Sequence, residues 1–401
     1  MRNYAILRNL SPLATAEPFE RRARSLGRGA AVIPPEPMID VARLTSRQVR
    51  EVARDPGVRG IAPIMPIALV RPFEVAEAEA ATQAWGIGAV RADVSAFSGA
   101  GVTVAVLDTG IDAAHPAFEG MEVVQEDFSG SGNGDRQGHG THCAGTIFGR
   151  DVDGTRIGVA RGVDRALIGK VLGDDGSGNS DMIFRGIQWA VQEGAQVISM
   201  SLGFDFPGLV ARLVTDGWPP ELATSVALEG YRGNLRMFDA LMEMVEARAA
   251  FSTGTVLVAA AGNESRRDQN RDFEVAVSIP AAAQGIISVG ALGQIGDQTG
   301  GQTGGSLGVA PFSNSFPQVS APGVNVLSAR AGGGLVALNG TSMATPHVAG
   351  VAALWWEAMG GAPARIAASA VAAKILASAR TEVFLSDADP ADRGLGLVTA
   401  P

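Results

Sequence analysis

Three segments that lie far apart in the sequence each place one reactive side chain at the edge of an apolar stretch. Asp108 ends an apolar run, His139 lies between two glycines, and Ser342 precedes a long apolar stretch of helical character. A serine hydroxyl becomes a nucleophile when a neighbouring base accepts its proton, and a carboxylate can orient that base. These residue types predict the attack of a hydroxyl group on an amide carbonyl carbon, which is the chemistry that cleaves a peptide bond.

Each of the three residues also has a purely structural interpretation. Ser342 stands at the predicted start of a helix, where it could serve as an N-cap, and Asp108 could accept hydrogen bonds from the backbone that follows it. His142 lies three residues after His139 and is a competing base. Pro346 is expected in the first turn of the helix, because its missing N–H group costs little there. From the residues alone these alternatives stay open.

Two other patterns offer competing chemistry. His139, His142 and Cys143 form part of a candidate metal site, but the sequence shows no fourth ligand and no His-Glu-x-x-His motif. Ser306 lies in a Gly-x-Ser-x-Gly pattern that matches the nucleophile elbow of α/β-hydrolases. That elbow requires an acid and then a histidine after the serine, and no Asp or Glu lies between Ser306 and His347, the only later histidine. The metal site and the elbow are therefore the weaker hypotheses.

From about residue 85 the chain alternates between apolar strands and helices. This alternation predicts an α/β fold in which a mostly parallel central sheet carries helices on both faces. Functional residues of such sheets collect at the carboxyl ends of the strands, and Asp108 and Asn263 each follow one. The side-chain amide of Asn263 could donate to a developing oxyanion, or it could belong to an ordinary turn. The predicted strands are 102–107, 166–172, 197–202, 255–261 and 286–292, and the predicted helices are 141–148 and 182–193.

Residues 1–75 differ in pattern from the rest and are predicted to form a small α+β unit. Thr45 and Gln48 have the spacing of a capping box at the start of a helix, and residues 58–70 have extended character. Residues 76–84 are rich in Ala and Glu and are expected to link this unit to the remainder of the chain.

Residues 85–401 are predicted to form the main domain. Within it, residues 204–253 are a long insertion between two strands, and they contain the pattern of an amphipathic helix. Residues 294–308 are rich in Gly, Gln and Thr and are expected to form a surface loop.

The overall composition restricts the classes of function. The 401 residues carry a net charge of −9, are 46% hydrophobic and 18% charged, and include a single cysteine. A negative chain is not expected to bind nucleic acid or an anionic membrane, and one cysteine excludes an intramolecular disulfide. The longest stretch without a charged residue, 335–356, contains several polar residues and is expected to be a buried helix rather than a membrane span. The N-terminus lacks the apolar core of a secretion signal, which favours the cytoplasm.

Three motifs together give the chain a resemblance to a known family. They are Asp-Thr-Gly-Ile-Asp-x-x-His-Pro at Asp108, His-Gly-Thr-His-x-Ala-Gly-Thr at His139 and Gly-Thr-Ser-Met-Ala-Thr-Pro-His-Val-Ala-Gly around Ser342. Over residues 85–400 the sequence resembles the subtilisin-like serine proteases (subtilases, family S8). The resemblance implies that His139 is the general base, oriented by Asp108, and that Ser342 is the nucleophile. It also implies an oxyanion hole formed by Asn263 and the backbone N–H group of Ser342.

The resemblance also suggests where a peptide or protein substrate binds. Two short segments look like the extended edges between which the family holds a peptide as an added strand. Ala261 and Gly262 are expected to line the pocket for the residue before the scissile bond, with Ser278 at the base of that pocket. The first edge comprises Gly176, Ser177 and Gly178, and the second comprises Ser201, Leu202 and Gly203.

Other expectations from the resemblance concern regulation and ions. Residues 1–75 are similar to the family's ferredoxin-like inhibitory propeptide, which implies a zymogen whose linker, at about residues 70–84, is cut by the enzyme itself. Cys143 matches the proteinase K-like variant with a free thiol, which implies sensitivity to mercurials. The chemistry requires no cofactor. Ala117 stands where many relatives carry a calcium-ligating aspartate, so a structural calcium ion is an open question, and the acidic loop at Asp151 could bind a cation or simply be solvated.

The leading hypothesis is therefore a serine endopeptidase that forms an acyl-enzyme intermediate. One alternative is a catalytically silent relative that uses the same fold to capture peptides. Another is an esterase or a peptide ligase that shares the acyl-enzyme, because the sequence does not reveal whether water or an amine accepts the acyl group.

Overall fold

The computed structural model describes residues 1–10, 35–70, 73–74, 83–249, 251, 254–295, 306–360, 367–385 and 388–401. Most of the predicted linker 76–84 lies outside the described residues. The strands are β1 (Arg2–Asn9), β2 (Pro37–Leu44), β3 (Val58–Pro63), β4 (Pro66–Leu69), β5 (Phe73–Glu74), β6 (Thr103–Asp108), β7 (Glu122–Asp127), β8 (Arg165–Lys170), β9 (Ser177–Asn179), β10 (Val197–Met200), β11 (Leu202–Phe204), β12 (Val256–Ala260), β13 (Ile286–Gln294), β14 (Leu307–Val309), β15 (Val319–Pro322), β16 (Val326–Ala329) and β17 (Leu335–Asn339). The helices are α1 (Ser46–Val52), α2 (Trp85–Ala89), α3 (His139–Phe148), α4 (Ser180–Gln192), α5 (Phe206–Thr215), α6 (Pro220–Ala249), α7 (Thr341–Gly360), α8 (Ala368–Ala377) and α9 (Pro390–Arg393).

The N-terminal strands form a sheet of their own. β1 lies between β2 and β3 and pairs with both in antiparallel fashion. Helix α1 begins after Thr45, whose hydroxyl accepts from the Gln48 N–H while the Gln48 side chain accepts from the Thr45 N–H. This reciprocal arrangement is the capping box that the sequence predicts, and it satisfies two backbone donors that the helix itself cannot pair.

The central sheet has the order β14-β13-β12-β10-β6-β8-β7, with β15 also paired to β13. Its strands run parallel except for β14, which is antiparallel to β13. The chain therefore has the mostly parallel α/β architecture that the alternating pattern predicts. In a parallel sheet the carboxyl ends of the strands meet at one edge, so β6 and β12 deliver the residues that follow them to the same region.

Strand β6 shows why the central strands are apolar on both sides. Val104 and Val106 pack into the cluster that contains α3 and α7, whereas Ala105 and Leu107 pack into the cluster that contains α4 and α6. Successive residues of a strand point to opposite faces, so a sheet covered on both faces needs a continuous apolar run. The two clusters make β6 a rigid support for its last residue, Asp108.

The structure corrects two local predictions. Part of the predicted loop 294–308 is a strand, because β14 pairs with the end of β13, while residues 296–305 lie outside the described residues. Helix α7 begins at Thr341, so Pro346 lies in the second turn and not in the first. The missing N–H group of Pro346 leaves the Ser342 carbonyl without its helical donor, and the Ser201 hydroxyl donates to that carbonyl instead, at 3.0 Å.

The long insertion 204–253 is helical over most of its length. Helix α5 packs against α6, and the 30-residue α6 also packs against β3 of the N-terminal sheet. One helix of the insertion therefore spans from the N-terminal sheet to the central domain.

Candidate active site

Asp108 and His139 form a buried pair. Asp108 is the last residue of β6, and its Oδ1 atom accepts a hydrogen bond from His139 Nδ1 at 2.8 Å and one from the Thr109 N–H at 2.7 Å. Both side chains are almost completely shielded from solvent. The two interpretations of Asp108 therefore hold together, because one oxygen both caps the following backbone and binds the imidazole.

Glycines allow the start of α3 to approach the loop after β6. Gly138 precedes the helix with a φ of 92°, a conformation that favours glycine. A Cβ atom at Gly140 would lie 2.2 Å from the carbonyl oxygen of Gly110. This close backbone contact places the His139 side chain, which begins the helix, next to the end of β6.

The charge of Asp108 decides the protonation behaviour of His139. Burial by itself lowers the pKa of His139, but the nearby carboxylate, with smaller contributions from Cys143, raises that pKa well above its ordinary value. Burial lowers the pKa of His142 to about 3 and that of His347 to about 4. His142 Nε2 donates to the Val326 carbonyl at 3.0 Å, so this competing base is engaged with the backbone of β16.

Ser342 lies in the first turn of α7, and its hydroxyl is turned toward two backbone carbonyls. Its Oγ lies 3.1 Å from the Val70 oxygen and 3.2 Å from the Ser201 oxygen. Within the described part of the chain, His139 Nε2 is buried without a hydrogen-bond partner. Cys143 connects the two groups, since its Sγ lies 3.9 Å from His139 Nδ1 and 3.5 Å from the Ser342 carbonyl oxygen. The structure thus brings the serine and the imidazole to one site without a direct hydrogen bond between them.

Asn263 is anchored by the residue that precedes Ser342. Its Oδ1 atom accepts from the Thr341 N–H at 2.9 Å and from the Thr341 hydroxyl at 2.8 Å. A Cβ atom at Gly340 would lie 3.1 Å from Asn263 Nδ2. Because its oxygen is engaged in this way, the amide is fixed with its nitrogen beside the start of α7.

The two expected substrate edges flank a strand of the protein's own chain. β4 pairs antiparallel with β9 on one side and with β11 on the other. Ala68 is opposite both Ser177 and Gly203, and the Leu69 N–H donates to the Gly176 carbonyl at 3.0 Å. Gly178 and Leu202 pair with Ile67 and Leu69 in the same three-stranded sheet. Ser201 stands just before β11 and contacts Ser342.

Val70 follows β4 and lines a cavity of about 740 Å³. Val70 is buried, and a Cβ atom at Gly203 would lie 3.3 Å from its Cγ2. Ser278 lines the cavity together with Asn263. Ala261 is fully buried in the backbone network behind it, where its carbonyl accepts from the Ser278 N–H, and the Gly262 N–H donates to the Thr341 hydroxyl.

Comparison with known proteins identifies the family. Residues 99–395, which are well over half of the chain, match the family model described as "Subtilase family". The chain belongs to the subtilase family. It is 34% identical over 321 residues to a thermostable alkaline protease of Halalkalibacterium halodurans, covering 78% of this chain and 71% of that protein. It is 36% identical to subtilisin DY of Bacillus licheniformis, over 69% of this chain and 85% of that protein. It is 32% identical to subtilisin E of Bacillus subtilis, over 78% of this chain and 69% of that protein.

This subtilase is accordingly a subtilisin-like serine protease, with the α/β fold of that family. The family assignment therefore confirms the resemblance drawn from the three motifs. Within the described ranges, no helix has the length and apolar content needed to cross a membrane.

The sequence motifs did not single out two residues that hold the site of this subtilase together. Asp135 accepts from the Thr109 hydroxyl, from the Gly138 N–H and from both the N–H and the hydroxyl of Thr141. Its position three residues before Gly138 is the only sequence signal, and such a spacing also fits a solvated turn. Its carboxylate joins the loop after β6 to the start of α3.

Lys170 is the second such residue, and it ends the strand next to β6. Its ammonium group is almost fully buried and donates to the Thr109 carbonyl at 2.7 Å, to the Gly134 carbonyl at 3.0 Å and to Asp174 at 2.7 Å. A buried lysine needs such partners, because an unpaired charge would be costly. The sequence signal that could have identified Lys170 is a charged residue at the end of an apolar strand.

The acidic side chains of the two candidate cation sites are hydrogen-bonded within this subtilase. The atoms of Asp108, His139 and Cys143 that could ligate a metal ion lie within 4.8 Å of one another. The carboxylate and the imidazole of this group are, however, hydrogen-bonded to each other. His142 does not join that group. Both carboxylate oxygens of Asp151 accept from Arg161, at 2.8 and 2.9 Å, which gives this acidic loop a partner without any cation.

Proposed function

We propose that this serine protease cleaves peptide bonds through an acyl-enzyme formed on Ser342. A rotation about the Cα–Cβ bond of Ser342 would carry its hydroxyl from the two carbonyls to His139, which takes the proton. The Ser342 oxygen then bonds to the substrate carbonyl carbon, and the resulting oxyanion accepts hydrogen bonds from Asn263 and the Ser342 N–H. His139, stabilised by Asp108, returns the proton to the leaving amine as the C–N bond breaks, and water later releases the acyl group.

The observation that carries this proposal is the position of the Val70 carbonyl. Its oxygen lies 3.1 Å from Ser342 Oγ, and the strand that precedes it is paired on both sides as an added strand. This contact is a hydrogen bond to the carbonyl oxygen, and it places a peptide carbonyl next to the nucleophile, at the site that also holds the Asp108–His139 pair. The chain therefore offers its own peptide to the site in the manner expected of a substrate.

The path of the chain on either side of Ser342 supports self-processing. Before Val70, β4 lies between β9 and β11, and after it β5 pairs with β17. The residues before Val70 thus lie between the two substrate edges, and the residues of β5 pair with β17, the strand that precedes α7 and Ser342. We assign the scissile bond to the peptide bond between Val70 and Arg71, which falls within the expected linker cut at about 70–84.

Contacts beyond the groove support an inhibitory role for the N-terminal part after the cut. Met65 and Ser180 exchange two hydrogen bonds, at 2.8 and 3.1 Å. The Ile39 N–H donates to the Gln188 side chain at 3.0 Å, and the Asn234 amide donates to the Pro63 carbonyl at 2.8 Å. These contacts do not depend on the Val70–Arg71 bond. The cleaved N-terminal part would therefore stay bound and continue to fill the groove.

Intact mass measurement of the purified full-length chain tests self-processing. We expect the wild type to split into fragments that end at Val70 and begin at Arg71, and we expect Ser342→Ala to stay whole. A wild type that remains intact, or a Ser342→Ala variant that is cut at the same bond, would contradict the assignment. A cut elsewhere in 71–84 would support self-processing but refute the bond that we assign.

Labelling with a fluorophosphonate probe tests the acyl-enzyme chemistry independently. Once its N-terminal part has been released, the processed wild type should be labelled at Ser342 and should hydrolyse a denatured protein, and Ser342→Ala should do neither. Absence of labelling in the wild type after release of the N-terminal part would favour the catalytically silent alternative. Product formation only when an amine is supplied would favour the ligase.

A further inference from the structure

The cavity beside Val70 is much larger than the side chain that reaches it. About 740 Å³ remain free with Val70 in place, a volume in the range that holds a small organic ligand. Ser278 Oγ is buried there, and within the described part of the chain it has no hydrogen-bond partner. The protein's own linker therefore leaves this part of the groove largely unfilled.

The cavity adjoins two positions of the bound strand and not one. Alternate residues of a strand point to the same face, so Ala68 and Val70 share a face, and both line the cavity, which Leu69 between them also borders. On the other face, Ile67 lies against Gly178, and Leu69 lies against Gly176. Counted back from the scissile bond, the cavity thus serves the first and third residues of a bound peptide.

The inserted helices supply the apolar wall of this cavity. Phe206 at the start of α5 contacts Tyr231 of α6 edge-to-face, with ring centroids 6.1 Å apart. The Tyr231 hydroxyl accepts from the Ile279 N–H at 3.3 Å, which ties this aromatic pair to the segment that carries Ser278. Two aromatic rings held in this way form a preorganised surface rather than a mobile loop.

Apolar side chains also frame the opening of the cavity. Leu228 of α6 and Val275 are 44% and 43% exposed, and both line the cavity. Glu264 is in the same wall, where it accepts from the Asn314 amide at 2.6 Å. Apolar residues at an opening gain by being covered, whereas a carboxyl group in the wall disfavours an acidic side chain nearby.

We propose that the inserted helices turn this cavity into a joint pocket for the first and third residues before the scissile bond. The pocket selects substrates that are bulky and apolar at both positions, and Phe206, Leu228 and Tyr231 determine the choice at the third position. This inference rests on the proposed function. It also predicts that the linker, which has the small residues Val70 and Ala68 at these two positions, is a slow substrate.

Tetrapeptide amides with a chromogenic leaving group test the proposal on the full-length chain after self-processing. The parent peptide repeats the linker sequence Ile-Ala-Leu-Val, and three others carry Leu or Asp at the third position or Phe at the first. Leu at the third position and Phe at the first should each raise kcat/KM by about tenfold, as expected for burying several more methylene-sized groups. Asp at the third position should lower it. The ratio of two peptides on one preparation is unaffected by residual N-terminal fragment.

Variants of α6 separate the pocket from a general effect on activity. Leu228→Ser should abolish most of the gain from Leu at the third position, so that the ratio of kcat/KM for Ile-Leu-Leu-Val to that for Ile-Ala-Leu-Val falls toward one. Leu222→Ser is the matched control, because Leu222 is 54% exposed on the same helix and does not line the cavity. Phe206→Ala should have the same effect as Leu228→Ser. Because Leu228 is exposed, Leu228→Ser tests the pocket without changing the apolar core.

The outcomes distinguish this inference from the proposed function. Cleavage of all peptides with no preference at the third position, or a preference that Leu228→Ser leaves intact, overturns the joint pocket only. A preference for Arg or Lys at the first position overturns it as well, because Glu264 would then dominate the pocket. Failure to cleave any peptide, together with absence of fluorophosphonate labelling, refutes the proposed function and this inference with it.

Discussion

At the scale of single residues, the Asp108–His139 pair governs the chemistry. One carboxylate oxygen lies 2.8 Å from the imidazole nitrogen and also caps the backbone at Thr109. Two hydrogen bonds to one oxygen hold the carboxylate in place, and the carboxylate in turn holds the ring. The remaining nitrogen of His139 is thereby left for proton transfer, the role that the proposed mechanism gives it.

The pH dependence of activity follows from this pair. Because Asp108 raises the pKa of His139, and because the base must be neutral, kcat/KM should rise with pH through a midpoint above the ordinary histidine value of about 6.5. Asp108→Asn removes the charge, so the midpoint should move to lower pH while kcat falls by about 10⁴. The measurement is kcat/KM against pH, with the exposed Glu229→Gln as control. An unchanged midpoint in Asp108→Asn would show that another group sets the acid limb.

The amide of Asn263 gives a second prediction at this scale. Asn263→Ala should lower kcat by about 10²–10³ with little change in KM, a magnitude taken from such a donor in a subtilisin. Asn263→Asp retains an oxygen that can accept from Thr341 but replaces the donor with a negative charge, so it should lower kcat at least as much as Asn263→Ala while α7 stays anchored. Steady-state kinetics of both variants check this. Near-normal kcat in Asn263→Asp would exclude the amide donor from the mechanism.

At the scale of elements, close backbone contacts position the reactive side chains. The start of α3 lies against the loop after β6, and there is no room for a side chain at Gly140. β6 itself is held between two apolar clusters. Backbone contacts and apolar packing therefore bring Asp108 and His139 together independently of the hydrogen bond between them.

Gly140→Ala tests this element contact. Its Cβ would meet the Gly110 oxygen at 2.2 Å, so α3 must shift, and we expect about 1–3 kcal/mol of destabilisation together with a loss of activity. Thermal unfolding of the Ser342→Ala background measures stability without self-cleavage. Gly88→Ala in α2 is the control, because its Cβ would have only an ordinary contact at 3.5 Å. Equal melting temperatures for the two variants would contradict the argument.

At the scale of the whole molecule, α6 connects the N-terminal sheet to the groove. Asn234 of α6 donates to the Pro63 carbonyl, and Leu228 and Tyr231 of the same helix line the cavity beside Val70. The same insertion therefore contributes both to retention of the N-terminal part and to the selection of substrates that we propose.

Asn234→Ala should shorten the interval between self-cleavage and full activity. The lost hydrogen bond contributes about 1 kcal/mol, which corresponds to roughly fivefold faster release of the N-terminal part. Parallel intact-mass and peptide-hydrolysis time courses measure that interval. Thr224→Ala removes a comparable bond within α6, to the Pro220 carbonyl, on a surface away from Pro63 and serves as control. Activity that appears at the moment of the cut in the wild type would refute retention altogether.

Local patterns of the sequence predict many of the elements and site residues of this protein. The apolar strands, the capping box of Thr45 and Gln48 and the order of the three motifs depend on residues near one another in the chain. Local patterns also predicted Asp108 and Asn263 at strand ends. They misplaced Pro346, because the Ser342 carbonyl that this proline leaves without a helical donor accepts from the Ser201 hydroxyl, which is remote in sequence.

The sequence alone determined the fold class, the family and the identity of the candidate reactive residues, since each depends on residue type and short-range spacing. Only the tertiary structure decided that the Val70 carbonyl meets Ser342, 272 positions away, and that Phe206, Leu228 and Tyr231 wall the cavity beside it. Such contacts arise from the packing of whole elements against one another. No short-range pattern carries that information, because many sequences with the same periodicity could place these side chains elsewhere.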